Sequence, residues 1–455
     1  VSTSRDSRAT DHGDAASLEH AHDLCAFLDA SPSPFHAVEE AGRRLASEGF
    51  RSVDERAPWP TTAGRYLLIR GASLVAWVVD AERHPSSGFR IVGAHTDSPN
   101  LRVKPRPDTG AVGWRQLGVE VYGGALLNSW LDRDLGLSGR VVVRTPDGGA
   151  VRLVRDDRAL LRVPQLAIHL DRGVNESGLV LDPQNHLSPV WGTGPIEEGA
   201  FARHLATLAG VDAGDVLDWD VMAHDITPAA LLGVDRSLLA GGRLDNLLSC
   251  HAAVTALVRT VRKPATLADS GPRAVPVVCL FDHEEIGSES ATGAAGVLLP
   301  TVLERIAGAA TLDRDQWFAA LASSFCLSAD GAHATHPNYI ERHEPSHRIL
   351  VNCGPVVKSN ANVRYATDAP AAATVALAAE VAGVPLQPFV VRSNMACGST
   401  IGPLTAARLG IPTADVGVAQ LSMHSARELC GAHDPERFTR LLCVVLSDDA
   451  PPVSA

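Results

Sequence analysis

At 455 residues, with 45% hydrophobic and 20% charged residues, the chain has the composition of a globular protein with two well-filled domains. Its net charge of -12 argues against nucleic acid or an anionic membrane as the main partner, yet leaves room for an acidic substrate in a locally basic pocket. The eight cysteines show no CxxC spacing, and no apolar run of about 18 residues occurs, so a cytoplasmic protein with reduced thiols is expected and neither a secreted nor a membrane-spanning one.

In chain order, residues 1–17 read as a flexible tail. Helical spacing follows over 18–29 and 35–48, separated by Ser31-Pro32-Ser33-Pro34. Two strands over 66–69 and 74–79 flank a hairpin signal at Gly71, and a buried strand over 90–94 leads into His95-Thr96-Asp97-Ser98. From 99 to 234 the pattern changes to short alternating runs with turns such as Pro146-Asp147-Gly148-Gly149, which predicts a mostly β insertion with one helix near 197–209. Beyond 235, helices over 244–261, 301–309, 314–323, 371–382 and 435–446 alternate with strands over 275–280, 325–329, 349–352, 386–391 and 413–418. The expected fold class is therefore α/β. A discontinuous domain of mixed sheet and flanking helices, 18–98 with 235–449, is interrupted by the β-rich module 99–234.

Glu284-Glu285 follows the buried strand over 275–280, and a carboxyl strand end is where open α/β sheets place their crevices. His95 and Asp97, Asp245, Asp330 and His424 also fall at strand ends or glycine turns. Taken singly, each has a structural explanation: a loop histidine, a helix N-terminal acid, a turn former. Taken together they offer two imidazoles and several carboxylates, a nitrogen and oxygen donor set suited to borderline divalent metals, zinc foremost, with Mn or Co as alternatives. A two-ion hydrolase needs one shared carboxylate, for which Asp245 is the candidate. His95 with Asp330 would complete one ion, and Glu285 with His424 the other. Asp97 would orient His95, and Glu284 would act as general base.

The ordered series Gly93-Ala94-His95-Thr96-Asp97-Ser98-Pro99, Leu166-Ala167-Ile168-His169-Leu170, Arg243-Leu244-Asp245-Asn246, Asp282-His283-Glu284-Glu285-Ile286-Gly287, His333-Ala334-Thr335-His336-Pro337-Asn338-Tyr339 and Cys397-Gly398-Ser399-Thr400-Ile401-Gly402-Pro403 resembles the aspartyl aminopeptidases. That family comprises cytosolic metallopeptidases that release N-terminal Asp or Glu from peptides, and the resemblance spans nearly the whole chain. It implies two divalent ions per subunit on the residues named above. It further implies Lys358 and Tyr365, with His336 nearby, in the pocket for the acidic side chain, and His169 reaching a neighbouring subunit's site within a tetrahedral homododecamer. Lysine is scarce, at positions 104, 263 and 358 only, which makes a dedicated role for Lys358 the more telling. One departure is Asn394 after Arg392-Ser393, where an Asp is expected. The competing readings are a related two-metal exopeptidase or deacylase of other specificity, and a catalytically silent assembly protein of the same fold.

Overall fold

A computed structural model describes residues 7–262, 272–450 and 452–453, with side chains described from residue 16 onward; Lys263 lies outside these residues. Four parallel strands, Val275–Phe281, Phe89–His95, Phe325–Ala329 and Thr413–Gly417, form the middle of a nine-stranded sheet. On one side the sheet continues antiparallel through Ser73–Val79 and Gly64–Arg70, then Arg51–Ser52. On the other it ends with Val356–Lys358 and Gln387–Phe389. Both faces are covered, which is why the central strands are apolar without alternation. Val92, Ala94, Val278 and Leu280 pack with helices Pro34–Ser47, Leu244–Arg262, Ala369–Ala382 and Asp434–Ser447. Phe89, Ile91, Val277 and Cys279 pack with Leu298–Ala309, Arg314–Ala322 and Ile401–Leu409.

Strand Phe89–His95 lies between Val275–Phe281 and Phe325–Ala329, so the next two sheet strands in the chain flank it on opposite sides. Such a reversal opens a crevice at the carboxyl ends. Before the chain returns to that sheet, residues 100–225 build a six-stranded antiparallel sheet in the order Gly148–Leu161, Leu135–Thr145, Val216–Asp225, Asn100–Ala111, Trp114–Tyr122, Val190–Thr193. Phe201 and Leu205 of helix Ala200–Ala209 fill its own separate core. A five-stranded sheet, Ala230–Leu232, Leu238–Gly241, Glu428–Gly431, Ala419–Leu421 and Ala332–His333, completes the strand inventory of the described residues.

Two expectations are corrected. The first helix begins at Ser7, so the segment expected as a flexible tail is helical over most of its length; Ala9, Ala15 and Ala16 favour helix and no proline interrupts them. Residues 349–352 form a turn, not a strand. The Gln387 side chain takes the place of a strand partner there, accepting from Leu350 N at 2.8 Å and donating to Leu350 O at 2.9 Å. Asn352, at φ 60°, then turns the chain away.

Candidate metal centre

His95 is the last residue of its strand and pairs in register with Phe281, two residues before the left-handed His283. The turn over His283 carries Glu284 and Glu285 back over the strand ends. Asp330 directly follows strand Phe325–Ala329. Its peptide sits against Gly417, where a Cβ would collide with the Asp330 carbonyl. Asp245 opens helix Leu244–Arg262 with non-helical dihedrals (φ -82°, ψ 104°), and its peptide bond to Asn246 is cis. His424, at φ 67°, lies in the loop before strand Glu428–Gly431.

These elements bring the five expected ligands together. His95 Nε2 lies 3.4 Å from Asp245 Oδ1 and 3.8 Å from Asp330 Oδ1. His424 Nε2 lies 3.4 Å from Asp245 Oδ2 and 3.3 Å from Glu285 Oε2. Two triads, His95–Asp245–Asp330 and Asp245–Glu285–His424, share Asp245 through its two different oxygens, and a third donor group, His95–Glu284–Glu285, lies beside them. Donor atoms on a tetrahedral ion with bonds of 2.0–2.1 Å stand about 3.3 Å apart, close to the observed spacings. Asp245 Oδ1 and Glu285 Oε1 are buried without a hydrogen-bond partner, a costly state that a cation relieves. The donor set therefore fits zinc.

The electrostatics agree. Burial, joined by the Asp330 and Asp245 charges and opposed by His95, pushes Glu284 up to about 8. Burial and Asp245 raise Glu285 well above the carboxylate range. Burial disfavours the charged form of both histidines, yet Asp245 and Asp330 raise His95 well above its ordinary value, and Asp245 and Glu285 raise His424 to about 10. Acids and imidazoles here compete for protons as one unit, as carboxylates do where countercharge is short.

Glu284 Oε2 is 3.9 Å from His95 Nε2, and its carboxylate accepts no hydrogen bond among the described residues. Asp97 has a different surrounding. Its oxygens accept from Glu284 N and Glu285 N, both at 3.1 Å, and from the Tyr122 hydroxyl at 2.7 Å, while His95 Nδ1 lies 3.4 Å away. Asp97 thus fixes both the Glu-Glu turn and the imidazole.

Of the expected substrate residues, Lys358 is 1% exposed. It donates to the carbonyls of Asp330 and Gly331 at 3.1 and 3.0 Å and lies 3.8 Å from Asp330 Oδ2, over the Tyr365 ring. His336 lies tilted against Tyr339, ring centroids 4.9 Å apart, and its backbone N–H donates to His343 at 3.0 Å. His169 is exposed in the loop after strand Gly148–Leu161. Asn394 is exposed, and Arg392 donates to the Glu341 carbonyl. Thr400 caps helix Ile401–Leu409 and donates to Asp415 at 2.6 Å.

Three contacts escaped the sequence reading. Tyr122 of the inserted sheet holds Asp97. The Gly124 carbonyl accepts from His424 Nδ1 at 3.0 Å, and a Cβ on Gly124 would come within 3.2 Å of that nitrogen. The third is Glu428, beneath Asp245 and His424.

Imidazoles and carboxylates gathered at the carboxyl edge of a parallel sheet, with one carboxylate unengaged, are the layout of a metal-dependent hydrolase. The family described as aminopeptidase I zinc metalloprotease (M18) matches residues 27–443. A protein of Streptomyces coelicolor named probable M18 family aminopeptidase 2 is 54% identical over 94% of this chain and 97% of its own. Its namesake in Mycobacterium tuberculosis is 53% identical over 94% and 98%. Among solved structures, that of the Ape4–Nbr1 complex matches with a TM-score of 0.91 at 37% identity, over 96% of this chain and 87% of that one. The mApe1 dodecamer of S. cerevisiae matches at 0.82 and 26%, over 95% and 98%. The chain belongs to the M18 family and is a zinc metalloprotease of the aminopeptidase type.

Proposed function

We propose that the protein releases N-terminal Asp or Glu from peptides at a two-ion site. The observation that carries this reading is the pair of donor triads sharing Asp245, with the free carboxylate of Glu284 facing both. His95 and Asp330 would hold one ion and Glu285 and His424 the other, with Asp245 available to both. When bound, such ions would supply Lewis acidity to the scissile carbonyl and the attacking water. Glu284 accepts the proton of that water and delivers it to the leaving amine. Asp97 keeps the His95 ring turned toward Asp245 and Asp330 through its backbone carbonyl, 3.0 Å from Nδ1, with its carboxylate 3.4 Å away.

The acidic preference rests on Lys358, the sole cation within 4 Å of the five expected ligands among the described residues. Two of its protons are engaged by carbonyls and its Nζ lies 3.8 Å from Asp330 Oδ2, so what it offers an acidic substrate is positive charge behind the cluster. Tyr365, beneath the Lys358 ammonium, and His336 complete the proposed substrate side. Self-assembly into a dodecamer, with His169 completing a neighbour's site, is supported by the apolar surface around it: Leu166, Ile168, Leu170 and Val180 are all exposed, Val180 at 84%. The inserted module 99–234 would then serve as the oligomerisation domain. A reducing cytoplasmic setting belongs to the same reading, on the family resemblance alone. No described helix is long and apolar enough to cross a membrane.

The test is hydrolysis of Asp-, Glu-, Ala-, Leu- and Lys-anilides by chelator-stripped protein with zinc, Mn or Co restored. Metal-dependent cleavage confined to Asp and Glu is expected. Cleavage of the neutral amides at equal rates would remove the role given to Lys358.

A further inference from the structure

Beneath the proposed centre lies Glu428, the first residue of strand Glu428–Gly431 and the register partner of Gly241. It is 2% exposed and within 4 Å of no arginine or lysine nitrogen among the described residues. Its two oxygens divide their work. Oε2 accepts from the backbone N–H of Asp245 at 3.0 Å, and Oε1 from the backbone N–H of His424 at 2.7 Å. Both residues have backbones that their own elements do not fix: Asp245 departs from helical dihedrals, and His424 is left-handed in a loop. One side chain from the small sheet therefore ties together the main chains of the shared ligand and of a ligand that belongs to only one triad.

A second carboxylate in the same molecule uses the same device without any ligand nearby. Asp434, 0% exposed, accepts from Asn352 N and Gly354 N and so holds a turn. The difference lies in what is held. Asp434 fixes a connection between elements, whereas Glu428 fixes the spacing between Asp245 and His424, whose side-chain atoms meet at 3.4 Å. The two N–H donors point to one carboxylate from different chain segments, so a donor-only or single-acceptor replacement cannot serve both.

We infer that Glu428 is a positioning residue that sets the affinity of the Asp245–Glu285–His424 triad for its ion, and with it turnover, while the His95–Asp245–Asp330 triad depends on it less. This inference rests on the two-ion reading above. Replacing Glu428 by Gln keeps the shape and one acceptor but turns an N–H2 group toward one of the two N–H donors, so one tie is lost.

The experiment measures zinc per chain against a graded competing chelator for wild type, Glu428→Gln, Glu428→Asp and Asp434→Asn, with Tm and kinetic constants of each in parallel. Wild type is expected to release its two ions in separable steps. In Glu428→Gln one step should move by about tenfold to a hundredfold in affinity, the usual cost of losing an outer support of a ligand. The other step should move far less, and kcat should fall while KM for the peptide stays near wild type. Glu428→Asp, with both acceptors but a shorter reach, should fall between. Asp434→Asn should lower Tm without moving either step. Should Glu428→Gln not fold, the Glu428→Asp titration decides by the same criterion. Equal displacement of both steps, or a pattern in Glu428→Gln indistinguishable from Asp434→Asn, overturns the positioning role. A wild-type titration with a single ion per chain overturns the two-ion reading and this inference with it.

Discussion

A half-buried cluster between the helices and the buried cluster at the sheet edge both mix histidines with carboxylates, and they are built on opposite rules. In the first, between the helices, Asp23 meets Arg44 and His251 at 2.7 Å, and Glu436 meets Arg259 at 2.9 Å and His20 at 3.2 Å. Glu40 is likewise held by Arg43 and Arg44. Every acid there has a guanidinium. In the second, at the sheet edge, Asp245, Glu284, Glu285 and Asp330 have among them one ammonium, that of Lys358, 3.8 Å from Asp330. Histidines and acids side by side are thus not in themselves a metal site. What separates the two is the withdrawal of arginine, which leaves oxygens such as Asp245 Oδ1 and Glu285 Oε1 without a partner. The acids of the first cluster are neutralised as folded, while those of the second need charge from outside the chain.

The strongest way to sharpen the contrast is Glu284→Gln. This change removes a proton acceptor and leaves the two triads untouched, so turnover should fall by about 10²- to 10⁴-fold while zinc per chain stays at the wild-type value. Activity near wild type with normal zinc content would place the base elsewhere.

Arg259→Met probes the other cluster. It leaves Glu436, with a mostly buried carboxylate, facing only His20, and about 1–3 kcal/mol of stability should be lost. Urea denaturation reads the stability change, and zinc content of the folded variant should not move. A loss of zinc would mean that the two clusters are coupled.

The smallest effect concerns pH. Burial, with His251 and Arg259 adding to it, lowers His20 to about 2, and burial also lowers His251. Below the ordinary histidine value of about 6.5 the unfolded chain takes up protons that the folded one refuses, so stability declines as pH falls from about 6.5 toward the depressed native values. The slope of Tm against pH over 5 to 7, measured with excess zinc, should flatten in His20→Gln. An unchanged slope would assign the pH dependence to other groups.

The positions of the five expected ligands were legible because strand ends carry a signal: an apolar run, then a His or an acid, then a glycine turn. His95, Glu285 and Asp330 follow that rule, and Asp245 and His424 sit beside recognisable turns. Glu428 and Tyr122 carry no such mark. Glu428 opens an ordinary short strand, and Tyr122 closes one in the inserted sheet; their importance arises only when distant segments meet. Secondary structure was legible for the same reason within elements and failed where a side chain replaced a backbone partner. Gln387 beside Leu350 is the case in point. Lys358 is expected in a partly buried pocket from its scarcity and the family resemblance; it is buried, and its two bonds to the carbonyls of Asp330 and Gly331 arise only when distant segments meet.

The inserted sheet touches the catalytic cluster at Tyr122 on Asp97 and at the Gly124 carbonyl on His424. Its first and last strands, Asn100–Ala111 and Val216–Asp225, pair with each other, so the chain leaves and re-enters through one doorway. Such a module looks detachable to an engineer, since a short linker could close the gap. A trimmed enzyme made that way would nevertheless lose a hydroxyl and a carbonyl from its own reaction chamber. The part that looks like packaging is a wall of the vessel, and any chimaera that exchanges it has to rebuild those two atoms.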